Sequence, residues 1–311
     1  MAGTTTARWS PLAVVPAALL GVIAALVLAP SDLPLDSLVR TGADVAGAVV
    51  LGFGLLILWA RDSRHVDDHL AWRGALVAAA CWAVSEVTLL VLGAARSDAV
   101  SATAVSLGTF TDYVQNIANG RIGSAVVVVA LAMAVLAATA LRTDLEVSGI
   151  VVVVPTAVAL IARPMTGHMA QQAVGALLVA VHVVAASVWL GLLVAMAVTL
   201  RSRTAWADLL PRYSAAALWC VVAVAVTGVV NAAVRLTSVT ALVDTDYGRL
   251  ILLKSVLLVA LVIGGWWRRR TWVSVIGAHT THATVSTRRA VVETAAMAVA
   301  FGVAAALAAT A

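Results

Sequence analysis

Two histidines, His168 and His182, set the chemistry worth looking for in this chain. They share a seven-residue rhythm with Gly175, Trp189 and Met196. Seven residues fall about 20° short of two helical turns, so these positions follow one slowly rotating helix face. On a continuous helix the two imidazoles stand about 21 Å apart. A metal–imidazole bond is only about 2 Å long, so they cannot share one ion. They are two stations on a path, or they are unrelated. Met165 and Met169 flank His168 and follow Arg163-Pro164, a proline suited to the first turn of a helix. Spacings of three and four put Met165, His168 and Met169 on one surface. Two thioethers and an imidazole are soft donors that suit Cu(I) better than Mg, Ca or Mn. The sequence therefore nominates His168, His182, Met165 and Met169 as metal ligands, although a lone histidine in an apolar helix also serves as helix–helix glue.

A second set is polar in otherwise apolar surroundings: Asp44, Glu86, Asn231 and Lys254, with Trp189 on the His182 face. A charge at a bilayer centre costs at least about 2.5–3.5 kcal/mol on insertion scales. Glu86 and Lys254 are accordingly expected to face the protein interior, each with a polar partner on another helix. Asp44 and Glu293 fall near the ends of apolar runs, where snorkelling to the interface is the expectation. Asp44, Glu86 and Asn231 are by depth the candidate partners of His182. The pairs His65/His69 and His279/His282 lie in polar loops and read as solvated, with a copper exit site as the other reading of either pair. No P-loop, dinucleotide glycines, zinc-protease motif or Ser/His/Asp set occurs, and no enzyme chemistry is visible.

The elements that must position these residues are dictated by composition. Of 311 residues, 62% are hydrophobic and 11% charged, with a mean hydropathy of +1.03. Soluble domains are about 45–50% apolar and about 25% charged. Too little polar surface exists for a water-soluble globule, and disorder needs the opposite composition. The expected fold is all-α, a polytopic integral membrane helical bundle. At roughly 20 residues per crossing, the runs Pro11–Ala29, Ala43–Ala60, Gly74–Ala95, Ile122–Leu141, Ser148–Ala162, Gln172–Leu200, Tyr213–Leu236, Leu250–Trp267 and Val291–Thr310 predict nine transmembrane helices. Ser148–Ala162 is the shortest and contains Pro155. The first run reads as a retained span and not a cleaved leader. All nine form one membrane domain, residues 1–311.

The net charge of +5 does not point to nucleic acid, because cytoplasmic loops of membrane proteins collect Lys and Arg. With nine spans the loops on the N-terminal side hold 13 such residues and those on the other side 6. This places the N-terminus in the cytoplasm and the C-terminus outside the plasma membrane. Trp9, Trp59, Trp72, Trp206, Trp266, Trp267 and Trp272 then fall at the inner headgroup level. Cys81 and Cys220 lie in apolar runs, which excludes a disulfide framework. Thr111-Asp112-Tyr113 before Gly120-Arg121 is echoed by Thr245-Asp246-Tyr247-Gly248-Arg249. A parallel internal repeat of four spans would place Asp44 roughly where His182 sits.

Longer stretches carry a family resemblance. The run TGHMAQQAVGALLVAVHVVAASVWLG (Thr166 to Gly191) joins RYSAAALWCVVAVAVTGVVNA (Arg212 to Ala232), TDYGRLILLK (Thr245 to Lys254) and RRAVVE (Arg288 to Glu293). Together they are similar to the copper-resistance protein D (CopD) family in its actinobacterial form, most specifically over residues 160–311. The chain departs from the family in having Leu192 after Gly191, where a second glycine is frequent, and in having only six methionines. The resemblance implies an inner-membrane protein of copper homeostasis that moves copper into the cell. It also implies an extracytoplasmic copper chaperone or an oxidase-assembly protein as partner. A b-type haem cytochrome and a non-transporting factor for oxidase copper insertion are the other readings. The haem reading needs an axial ligand from another helix, because His168 and His182 share one.

Overall fold

A computed structural model describes residues 35–60, 66–143, 146–164, 173–235, 240–245, 248–249 and 251–263. The expected first and ninth spans lie outside these residues, as do Met165, His168 and Met169. Within them the chain is helical: α1 (Leu35–Ala60), α2 (Asp68–Ser97), α3 (Leu107–Asn116), α4 (Ala118–Ala140), α5 (Ile150–Ala162), α6 (Ala173–Thr199), α7 (Arg203–Arg235), α8 (Ala241–Asp244) and α9 (Ile251–Ile263). Five of them, α1, α2, α4, α6 and α7, are long and apolar enough to cross a membrane. Val128, Leu131 and Val135 on α4 and Val222, Val226 and Val229 on α7 are exposed. In lipid such faces cost nothing, because the solvent is as apolar as the side chains.

Four helices begin earlier than hydropathy predicts, α1 and α7 by the most. The run expected from Ala43 starts at Leu35, so the polar turn with Asp36, Arg40 and Asp44 is helical. The run expected from Tyr213 starts at Arg203, and Pro211 lies inside the helix. Ser202 fixes that start by accepting the backbone N–H of Ala205 at 3.1 Å. Asp67 caps α2 in the same way through the N–H of Leu70, at 3.1 Å.

α1 is the hub, packed against α2, α5 and α6, while α2 carries α4 and α6 carries α7. Small residues make this close approach feasible. Ala43, Ala48, Ala71, Ala75, Ala79 and Ala83 are all buried on α1 and α2. The tightest crossing is between Gly52 of α1 and Gly191 of α6, where a Cβ on either would overlap the backbone of the other helix. Trp72 and Trp206, each near the start of its helix, are both buried against protein. The Trp206 indole N–H donates to the carbonyl of Leu200 at 3.2 Å, so its polar edge is satisfied inside the protein instead of at the lipid boundary.

α3 forms between two expected spans, in a stretch with no apolar run long enough to cross. Its Tyr113 ring fills the space beside Gly93 of α2, and the Tyr113 backbone lies against Gly120 of α4. The threonines that open the two echoed tripeptides sit differently. Thr111 lies within α3 and donates to the carbonyl of Leu107 at 2.9 Å, whereas Thr245 accepts from the N–H of Gly248 at 3.0 Å.

Candidate functional site

Two polar clusters lie within the apolar helices. The first joins α1, α2 and the end of α5. Glu86 is buried, with 3% of its side chain exposed, and forms an ion pair with Arg163, which follows α5. The guanidinium also lies against α4, where a Cβ on Gly123 would stand 3.0 Å from Nη2. Asp44 of α1 is half-buried and sits in the electrostatic field of Arg40, Glu86 and Arg163. This corrects the snorkelling expectation for Asp44: because α1 begins at Leu35, Asp44 is more than two turns inside the helix and faces other charges. A second pair, Arg96 with Asp36, joins α2 to the first turn of α1.

The length of α5 explains why an arginine is found there. With 13 residues it reaches about 20 Å, short of the roughly 30 Å apolar thickness of a bilayer. It starts with Gly149 against Gly54 and Leu58, near one end of α1. Glu86, where it finishes, lies eleven residues before the last residue of α2, or about 16 Å along the axis. Arg163 therefore sits at the level of a buried carboxylate and not beyond the helix ends. The count of loop charges takes Arg163 as one of them, whereas in the structure it pairs with Glu86.

The second cluster joins α6, α7 and α9. His182 of α6 is half-buried, and its Nδ1 lies 2.8 Å from the hydroxyl oxygen of Thr227 on α7. The ring's Cε1 edge lies over Gly228, where a Cβ would stand 3.9 Å away, an ordinary contact. Lys254 of α9, half-buried, exerts its field on the imidazole. Asn231 is one turn along α7 from Thr227, and its Oδ1 is buried without a hydrogen-bond partner among the described residues. Trp189 is buried below His182, and its carbonyl accepts from the Tyr213 hydroxyl at 3.4 Å, tying α6 to α7.

The structure thus brings His182 together with Thr227, within the field of Lys254, and separately Glu86 with Arg163, within the field of Asp44. No group of three or more His, Cys, Asp or Glu side chains suited to a metal occurs among the described residues. Sequence reasoning passed over Thr227 and Arg163. The signal for Thr227 was its four-residue spacing from Asn231, which sets two polar groups on one face of an apolar helix. The signal for Arg163 was a charge directly after the shortest span.

A chain whose described residues are helical, with five helices long and apolar enough to cross a membrane, exposed valine faces and buried charge clusters, is a polytopic membrane protein. Residues 31–178 match the family model described as copper resistance protein D-like, N-terminal domain, and residues 207–307 match copper resistance protein D. The chain belongs to the copper resistance protein D family. The N-terminal half, where the resemblance was diffuse, is therefore as much part of the family as the rest. Residues 179–206, which contain His182 and Trp189, fall between the two matches. No curated protein and no solved structure is detectably similar to the chain.

Proposed function

We propose that this protein transports copper across the plasma membrane, with Cu(I) as the form carried. The observation that carries this reading is the placement of His182: an imidazole on an apolar helix, turned toward α7 and held there by Thr227. Imidazole is a common metal ligand in its neutral form, and the family is one of copper resistance. In this reading Met165, His168 and Met169 form the outer loading point, and His182 is the deeper station. Asn231, one turn from Thr227 and with an Oδ1 that has no hydrogen-bond partner among the described residues, would offer a further weak donor. The Lys254 ammonium opposes a second cation beside His182. This suits passage more than storage, since an ion must leave as readily as it enters.

Copper(I) uptake into proteoliposomes tests the reading. His182→Ala and His168→Ala should each bring uptake close to background, and the double variant should be little worse, because a relay needs both stations. Met165→Leu and Met169→Leu should weaken Cu(I) binding while leaving the fold intact, since these swaps nearly conserve volume. Normal uptake in both folded histidine variants would move the path elsewhere. Binding without uptake in the wild type would favour a non-transporting factor for oxidase copper insertion.

The reading includes an orientation with the N-terminus inside, the C-terminus outside and nine crossings, the fifth of which needs more of the chain than the 13 residues of α5. Ser101 and Thr143 are exposed on opposite sides of α4. Ser101→Cys should react with an impermeant thiol reagent in intact cells, and Thr143→Cys only after lysis. Labelling of both from outside would mean a miscounted span. A parallel repeat also belongs to the reading. Asp44 lies eight residues before Gly52 and His182 nine before Gly191, and these two glycines meet at the helix crossing.

A further inference from the structure

The hydrogen bonds around His182 fix more than its position. A threonine hydroxyl has one proton to give and two lone pairs with which to accept. Thr227 Oγ1 lies 2.6 Å from the carbonyl oxygen of Ala223, one turn back on α7. Two oxygens at that separation need a hydrogen between them, and a carbonyl has none, so the Thr227 proton is committed to Ala223. The same oxygen lies 2.8 Å from His182 Nδ1. Having spent its proton, Thr227 can only accept there, so the hydrogen of that second bond belongs to Nδ1. A neutral imidazole carries one N–H, which leaves the lone pair on Nε2.

We infer that Thr227 is a positioning residue, locking His182 in the Nδ1-protonated tautomer so that Nε2 is the atom presented to an incoming metal ion. The inference rests on the reading of His182 as a copper station, although the tautomer itself follows from the hydrogen bonds alone. Nε2 is separated from the Thr227 bond by Cε1, whose edge lies over Gly228, a residue with no side chain to obstruct it. The free nitrogen thus adjoins the least obstructed part of α7. Metal-ligating histidines are commonly held by a partner on the second ring nitrogen, and loss of that partner typically costs about 10–100-fold in affinity or activity. Here a hydroxyl with no proton left to give takes that part, and the backbone carbonyl of Ala223 makes it an obligate acceptor.

The test is nitrogen-15 NMR on the full chain, histidine-labelled and reconstituted in nanodiscs, with the His182 signals assigned by their loss in His182→Gln. Without metal, the wild type should show a protonated Nδ1 and a bare Nε2. Adding Cu(I) alone should shift the Nε2 resonance while leaving Nδ1 protonated. Thr227→Val keeps the shape and removes the hydroxyl acceptor, leaving the ring only its backbone contact at Val224, so His182 should be held less firmly in one tautomer and bind Cu(I) at least about tenfold more weakly. Thr227→Ser should restore the wild-type pattern. A wild-type spectrum with the proton on Nε2 would overturn the inference whatever the Thr227 variants do. So would a Thr227→Val protein with unchanged tautomer and unchanged affinity. If the tautomer is as inferred but Cu(I) leaves Nε2 unshifted, the copper station at His182 is overturned, and with it the role given to Thr227 as a metal-positioning residue.

Discussion

Glu86→Ala should destabilise the folded bundle by about 3–5 kcal/mol, the cost typical of removing one partner from a buried ion pair. Only 3% of the Glu86 side chain and 15% of the Arg163 side chain are exposed. Neither group can therefore recover its hydration when the other is lost. Arg163→Ala should cost a similar amount, because Glu86 would then remain beside Asp44 with its nearest countercharge gone. The informative comparison is the double variant Glu86→Met with Arg163→Met. Apolar residues of similar size often replace a buried pair at no cost or a gain, so the double variant should be more stable than either single one. Thermal unfolding in detergent, followed by loss of the monodisperse species, measures this. If both single variants match the wild type, the pair is solvated and α5 does not end inside the bundle.

The location of that pair shows what hydropathy could and could not reveal. The approximate positions of seven helices within the described residues were legible because each is an apolar run of recognisable length. The boundaries were not. A window that penalises charge stops at Ala43, since Asp36 and Arg40 precede it. In the folded chain Asp36 meets Arg96 and Asp44 meets the Glu86–Arg163 pair. These are tertiary facts that make a polar turn tolerable inside a helix. The same holds at Pro211, where a proline and nearby charges resemble a loop, yet the helix is initiated by the Ser202 cap. Composition revealed that Glu86 needed a partner, because a lone carboxylate in hydrocarbon is costly. It did not reveal which, because Arg163 is 77 residues away and looked like an ordinary loop charge.

The histidine site divides in the same way. His182 stood out through its spacing from His168 and Trp189. Thr227 did not, because a threonine in an apolar helix ordinarily satisfies itself on its own preceding turn. Thr227 does this as well, and only the approach of α6 gives its remaining lone pair a use. Tyr113 is a further case. As part of a repeated tripeptide it suggested an echo between the halves, whereas its structural role is local, filling the gap left by Gly93 and approached by Gly120.

Gly191→Leu should prevent α1 and α6 from meeting and should be the most damaging single substitution in the described part of the chain. A Cβ at Gly191 would overlap the carbonyl oxygen of Ala48, and one at Gly52 would overlap the Gly191 backbone and stand 2.5 Å from the Leu192 nitrogen. The obstacle is helical backbone on both sides, which cannot rotate away as a side chain would. The helices must move apart, and α1 also packs α2 and α5, so the displacement would spread through the hub. Overpacking costs typically about 1–3 kcal/mol when side chains can adjust; with backbone as the obstacle, about 3 kcal/mol or more is expected. Gly42→Ala is the control, because its new Cβ would meet only the Ser85 hydroxyl at 3.7 Å. It should behave as the wild type in detergent, while Gly191→Leu should lose its monodisperse species at low temperature. The effect should also reach His182, which lies nine residues along α6, about 13 Å from the crossing. Gly191→Ala, the smallest version of the clash, should therefore displace the His182 nitrogen-15 signals even where folded protein survives. Unchanged His182 signals and unchanged stability in Gly191→Ala would mean that the two helices do not touch at these glycines.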